Sequence, residues 1–132
     1  MDPEKPRNTR PLILVVDADP NIRDLAGYFL AEAGYNVEFA FDGYEALDRS
    51  RKLPPTLILV DIVLPRLSGL ALCRLLKSDP STQKIKIVIF SEIGSLETAQ
   101  QSGADAFLSK PLEKSSLEDL VSKVINSKEH ST

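Results

Sequence analysis

The chain is poor in the residues that most often carry metal and redox chemistry: 132 residues hold one cysteine, one histidine and no tryptophan. A single thiol, Cys73, forms no internal disulfide, which fits a reducing compartment, and Cys73 itself reads as a small core hydrophobe. His130 stands alone in a polar tail, so neither a zinc site nor a Ser–His–Asp triad has its partners. Long apolar runs are missing too. The longest are Leu12–Val16, Leu57–Val60 and Ile87–Phe90, far short of a bilayer span. The opening MDPEKPRNTR lacks the apolar stretch of a signal peptide, so the expectation is a cytoplasmic protein without membrane contact. Basic charge is not in excess. Sixteen Lys and Arg against nineteen Asp and Glu give a net charge of −3, and no basic stripe marks a nucleic-acid surface.

What is present is an alternation of two hydrophobic periods. Leu12–Val16, Leu57–Val60 and Ile85–Phe90 read as buried strands, Tyr35, Val37 and Phe39 as an alternating one, and Ala106–Ser109 as a weak fifth. Between them lie helical faces. Ile22, Leu25, Ala26, Phe29, Leu30 and Ala33 form the first, with Pro20 in its first turn and Gly34 at its end. Asp42 and Glu45 open a second with capping-box spacing. A third runs from about Leu67 to Lys77, a short fourth holds Leu96 and Ala99, and Ser115 with Glu118 opens a fifth carrying Leu117, Leu120, Val121, Val124 and Ile125. Five β-α repeats predict an α/β domain with a parallel sheet covered on both faces. The expected organisation is a disordered segment over 1–10, the domain over 11–126 and a polar tail over 127–132.

In such a sheet, ligands sit beyond the carboxyl ends of the strands. The polar residues closing the apolar strands are Asp17 and Asp19, Asp61, Ser91 and Lys110. Gathered carboxylates repel and call for a cation, and an all-oxygen donor set favours Mg²⁺. A carboxylate beside a metal and a lysine can act as a nucleophile toward phosphorus, with Lys110 and the metal neutralising charge on the transferring oxygens and Ser91 donating to the same group. Taken singly, each residue has a plainer role: Asp61 as a turn or cap, Ser91 as an N-cap, Lys110 as a solvated charge, Asp19 before Pro20 as a helix start. The argument rests on all the strand ends agreeing.

These residues resemble the receiver domains of bacterial two-component systems, the CheY-like family. Asp61-Ile-Val-Leu-Pro65-Arg-Leu-Ser-Gly69 resembles its phospho-acceptor segment, LILVVDADPNIR its acidic segment, IVIFS its strand ending on Ser or Thr, and GADAFLSKP its lysine segment. The resemblance covers about residues 11–126. It implies a flavodoxin-like five-stranded sheet in the order 2-1-3-4-5. It implies a single-domain response regulator, not an enzyme in the ordinary sense. A sensor histidine kinase or phosphotransfer protein would hand a phosphoryl group to Asp61 in a Mg²⁺-dependent transfer, and the output would go to a downstream protein target. Asp17 would hold the metal through water, Asp61 and the backbone carbonyl of Val63 would ligate it, Ser91 and Lys110 would grip the phosphoryl oxygens, and Phe107 with Ser91 would carry the switch. A cis peptide at Lys110–Pro111 is part of the same likeness.

Two features depart from the family. Ala18 stands where a second acid normally ligates the metal, and Asp19 should point elsewhere because neighbours in extended chain alternate. One fewer carboxylate weakens Mg²⁺ binding and also lowers repulsion in the pocket. The Ser91–Lys110 segment is short by about three residues, roughly one helical turn. Ala18 therefore keeps open a pseudo-receiver that acts by protein contact alone. Asp17-Ala-Asp19 also resembles the first motif of haloacid-dehalogenase-type phosphatases, against which stand Pro20 and the missing acidic pair after Lys110. A flavin site is weaker still, since Ala-Asp-Pro-Asn is no phosphate cradle. No output domain is evident. The expected partner is another protein, or the chain is a piece of a longer regulator.

Overall fold

The computed structural model describes Pro6 and residues 9–127. Most of the two expected terminal segments, and His130 with them, lie outside the described residues. Strands and helices alternate throughout: β1 (Leu12–Val16), α1 (Pro20–Glu32), β2 (Asn36–Ala40), α2 (Gly43–Lys52), β3 (Leu57–Val60), α3 (Gly69–Ser78), β4 (Lys86–Ser91), α4 (Leu96–Gln101), β5 (Ala106–Ser109) and α5 (Lys114–Asn126). All pairings are parallel, in the order β2-β1-β3-β4-β5. This is the doubly wound, flavodoxin-like arrangement expected.

Strand alternation divides the core into two layers. Leu14, Val16, Ile58, Val60, Ile87 and Ile89 join Ala46, Leu72, Cys73, Leu76 and Ala99 under α2, α3 and α4. Ile13, Val15, Leu57, Leu59, Val88 and Phe90 join Ala26, Leu30, Leu117, Val121 and Val124 under α1 and α5. Because both faces are covered, the three central strands read as unbroken apolar runs rather than alternating ones. Cys73 is a fully buried member of the first layer, as its isolation in the sequence suggested, and burial pushes its thiol up to about 11.

Helix ends follow the capping signals with some corrections. Asp19 caps α1, its side chain accepting the Asn21 N–H at 2.9 Å. Gly34, at φ +101°, ends that helix: its N–H reaches the Ala31 carbonyl and the Tyr35 N–H the Leu30 carbonyl, the paired bonds of a Schellman close. Asp42 caps α2 through the Glu45 N–H at 2.8 Å, but Glu45 returns its bond to the Phe41 N–H rather than to the cap residue. The third helix begins at Gly69, capped by Ser68, two residues later than its hydrophobic period suggested. The Ser115–Glu118 pair is not a capping box. Helix α5 starts at Lys114, and the Ser115 and Ser116 hydroxyls both donate to the Glu113 carboxylate at 3.2 and 3.1 Å instead. Strand β4 runs one residue further than expected, so Ser91 lies within it.

Candidate functional site

Strand register brings the site together before any side chain is considered. Val16 pairs with Val60, so the next residues, Asp17 and Asp61, emerge side by side at the carboxyl edge of the sheet. The Asp61 N–H donates to the Val16 carbonyl at 3.0 Å and the Asp17 N–H to the Ala40 carbonyl at 3.2 Å, which fixes both main chains. On the other side, Ser91 pairs with Ser109, and the Lys110 N–H donates to the Ser91 carbonyl at 3.0 Å. Lys110 thereby leaves β5 pointing back across the strand ends, followed by a cis peptide to Pro111.

The Lys110 ammonium bridges the two carboxylates, 2.8 Å from Asp17 Oδ2 and 3.0 Å from Asp61 Oδ2. The three side chains are 9%, 4% and 13% exposed, so this is a largely dry charge cluster rather than a surface pair. Burial alone would lower the Lys110 pKa. Hydrogen bonds and charge from Asp17 and Asp61 together outweigh that effect and hold it above its ordinary value. The Lys110 ammonium also lies 5.3 Å from the centre of the Phe90 ring. Asp17 Oδ1 accepts the Asp19 N–H at 2.9 Å, and the Arg23 guanidinium donates to the Asp17 carbonyl at 2.6 Å. Asp61 Oδ1 takes the Val63 N–H at 3.4 Å. One oxygen of each acid thus faces the lysine, and the other is held by the chain that follows it.

Two other residues expected at the site, Ser91 and Phe107, do not join this trio. Ser91 is buried and accepts the Ile93 N–H at 3.3 Å through its Oγ, so its own hydroxyl proton is still free to be donated. Phe107 is half-buried against the layer under α2–α4 and lines an open groove of about 380 Å³ with Leu96, Gln100, Leu120 and Val124. Gly69 explains its place in the motif: a Cβ there would run into the Asp61 carbonyl, and its N–H closes the loop on the Ile62 carbonyl at 2.9 Å. Ala18 is exposed and offers no donor. Asp19, its neighbour, spends its carboxylate on the α1 cap. Among the described residues no group of three or more His, Cys, Asp or Glu side chains gathers to hold a metal. What gathers is two carboxylates, which matches the chemistry of Mg²⁺, an ion that keeps several waters and needs only one or two protein carboxylates.

Two arginines at the strand ends are held by contacts that only the fold creates. Arg23 and Arg66 carry no motif signal, because their partners, a backbone carbonyl and a carboxylate 24 residues away, are set by the fold.

A doubly wound parallel sheet with paired acids and a lysine converging at its carboxyl edge is the arrangement of a class of signalling domains. The chain belongs to the response regulator receiver domain family, whose pattern matches residues 13–122. It is 35% identical over 117 residues to the DNA-binding dual master transcriptional regulator RpaA of Synechocystis, an alignment covering 86% of this chain and 47% of RpaA. The chain spans about half the length, or less, of the curated relatives it matches. Among solved structures, the chemotaxis response regulator CheY4 of Vibrio cholerae superposes with a TM-score of 0.83 at 28% identity, covering 88% of this chain and 99% of that one. The receiver domain of the Pseudomonas aeruginosa sensor histidine kinase PA1611 shares the fold at TM-score 0.83 and 24% identity, covering 90% of this chain and all of that one. That structure has a magnesium ion coordinated in its active site cleft. Receiver domains are typically non-enzymatic signalling domains that interact with histidine kinases and downstream effectors and generally bind Mg²⁺ in the acidic site. Family membership leaves the phosphatase reading of Asp17 and Asp19 without support. Among the described residues no helix is long and apolar enough to cross a membrane.

Proposed function

We propose that this chain is a phosphorylatable receiver whose acceptor is the Asp61 carboxylate, working in the cytoplasm and signalling by protein contact. The observation that carries the reading is the Lys110 ammonium seated on both Asp17 and Asp61 at the strand ends. In the transfer, an oxygen of Asp61 forms the new P–O bond while the P–N bond to a partner's phosphohistidine breaks and the imidazole leaves. Lys110 shifts its attention from the carboxylate to the incoming phosphoryl oxygens, whose charge it neutralises. The Ser91 hydroxyl donates to one of those oxygens. Asp17, Asp61 and the Val63 carbonyl would hold Mg²⁺, which supplies further charge neutralisation when bound. Phe107 and Ser91 would relay the modified state by shifting the population of the β4–α4–β5 surface.

The partners on this reading are a sensor histidine kinase or phosphotransfer protein and a downstream protein target. DNA binding is named for RpaA and for MtrA of Mycolicibacterium smegmatis, each about twice as long as the stretch matched here. The net charge of −3 supports contacts with proteins rather than with nucleic acid for this domain.

Ala18 favours a second reading, a pseudo-receiver that keeps the fold and signals without phosphorylation. One experiment separates the two. The protein is incubated with acetyl phosphate or phosphoramidate and Mg²⁺, and the intact mass is read with Asp61→Asn alongside. A gain of one phosphoryl group that disappears in the variant supports the receiver. No gain in either protein sinks it in favour of the pseudo-receiver.

A further inference from the structure

The loop leaving Asp61 contains one backbone outlier. Arg66 has φ +68°, a left-handed conformation that side chains other than glycine enter at a cost. Next to it the Leu67 N–H closes on the Pro65 carbonyl at 2.7 Å, so three residues complete one tight turn. The compensation comes from the Arg66 side chain. Its Nε donates to Asp42 Oδ2 at 3.1 Å, and its guanidinium lies 5.1 Å from the centre of the Tyr44 ring. Asp42 is 2% exposed and is itself held by the start of α2. The carboxylate that caps α2 is therefore also the anchor of the loop that follows β3.

The loop is fastened at both ends by close backbone contact. At its far end a Cβ on Gly43 would meet the Leu67 carbonyl, and at its near end a Cβ on Gly69 would meet the carbonyl of Asp61. Between these points lies Val63, whose N–H rests on the Asp61 carboxylate. Arg66, its side chain 62% exposed, lies in the same loop three residues after Val63.

We propose that Arg66 is a positioning residue: by gripping Asp42 and stacking on Tyr44 it fixes the 62–68 loop and so holds the Val63 backbone in place beside Asp61. The consequence for phosphoryl uptake rests on Asp61 being the acceptor, whereas the geometric part stands on its own.

The test compares Arg66→Gly, Asp42→Asn and the double variant. Glycine accepts the left-handed turn freely but has no tether, and asparagine still caps α2 while giving up the charge. Two readouts are followed, amide exchange by NMR and Mg²⁺ affinity by titration. Either single variant should speed exchange of the Gly69 amide by about tenfold and weaken Mg²⁺ binding by about tenfold, with the β3 amides of Leu59 and Val60 unchanged. The double variant should be no worse than either single one, because both remove the same contact. Unchanged Gly69 exchange overturns the proposal, as does an equal acceleration at Leu59 and Val60, which would mean general destabilisation. If the wild type takes up no phosphoryl group but the exchange pattern holds, the acceptor reading fails and the tether stands.

Discussion

Two lysines mark opposite ends of the sheet, and they are satisfied in different ways. At the amino end, Lys77 on α3 reaches the Ile85 carbonyl at 2.7 Å, the Gln83 carbonyl at 3.4 Å and Asp105 Oδ2 at 3.2 Å. Asp105 in turn accepts the Ile87 N–H at 2.7 Å, so one cation and one anion staple α3, the entry to β4 and the turn before β5. At the carboxyl end, Lys110 meets two carboxylates. One positive charge against two negative ones leaves an uncompensated anion in a cluster that is largely out of water, which is costly unless a further cation shares it. The staple balances its charges and joins three segments of the fold, whereas the trio pairs one cation with two acids.

The largest expected effect breaks that contrast at the carboxyl end. Lys110→Met should cut phosphoryl uptake from acetyl phosphate by about 10²–10³-fold, the usual loss when one preorganised charge is removed from a transfer site. Time-resolved intact mass measures it. The same variant tests the linkage to pH. Because the folded pKa of Lys110 is raised above its ordinary 10.5, its contribution to stability is complete below about pH 10.5 and is lost as pH rises through the folded value. Denaturant midpoints of wild type and Lys110→Met should therefore converge at high pH. A constant gap across that range would contradict the assignment.

A smaller effect sharpens the comparison by making the trio still less balanced. Ala18→Asp adds a third acid beside Asp17 and Asp61. Mg²⁺ affinity should rise by about tenfold or more, since carboxylate count sets the affinity of such sites. Stability without metal should fall, because like charges are brought together. Metal titration and thermal unfolding, run on the same protein, must move in opposite directions.

How much of this contrast the sequence discloses follows from the range of each signal. The strands, the helices and the convergence of Asp17, Asp61, Ser91 and Lys110 follow from apolar periods and from which polar residue ends each run, both local properties. Lys77 and Asp105 gave no such signal. Each looks like a solvated charge, and their pairing across 28 residues is created only when α3 packs against β4. The contact between Arg66 and Asp42, 24 residues apart, is hidden for the same reason. Asp42 was legible as a helix cap, but its second oxygen is committed to a loop that the capping rule does not see. Ser115 misled in the opposite way, since the spacing to Glu118 suits a capping box while Glu113 sits one residue nearer and takes the hydroxyl.

At the amino end, Lys77→Met should keep the packing of the stem but take its donor from the Ile85 carbonyl, while Asp105 keeps the Ile87 N–H and loses its counter-charge. About 1 kcal/mol of stability should be lost, with phosphoryl uptake unchanged. Cys73, one turn earlier on α3, supplies a local reporter. Its thiol is fully buried and raised to about 11 by that burial, so at neutral pH it is neither ionised nor reachable by an alkylating reagent until the region opens. Lys77→Met should speed alkylation of Cys73 about fivefold, the fraction opened by roughly 1 kcal/mol. Lys110→Met should have a much smaller effect at neutral pH if the two ends open independently. Equal acceleration by both variants would mean that the sheet opens as one unit, and the division between a stapled end and an unbalanced end would then describe chemistry but not cooperativity.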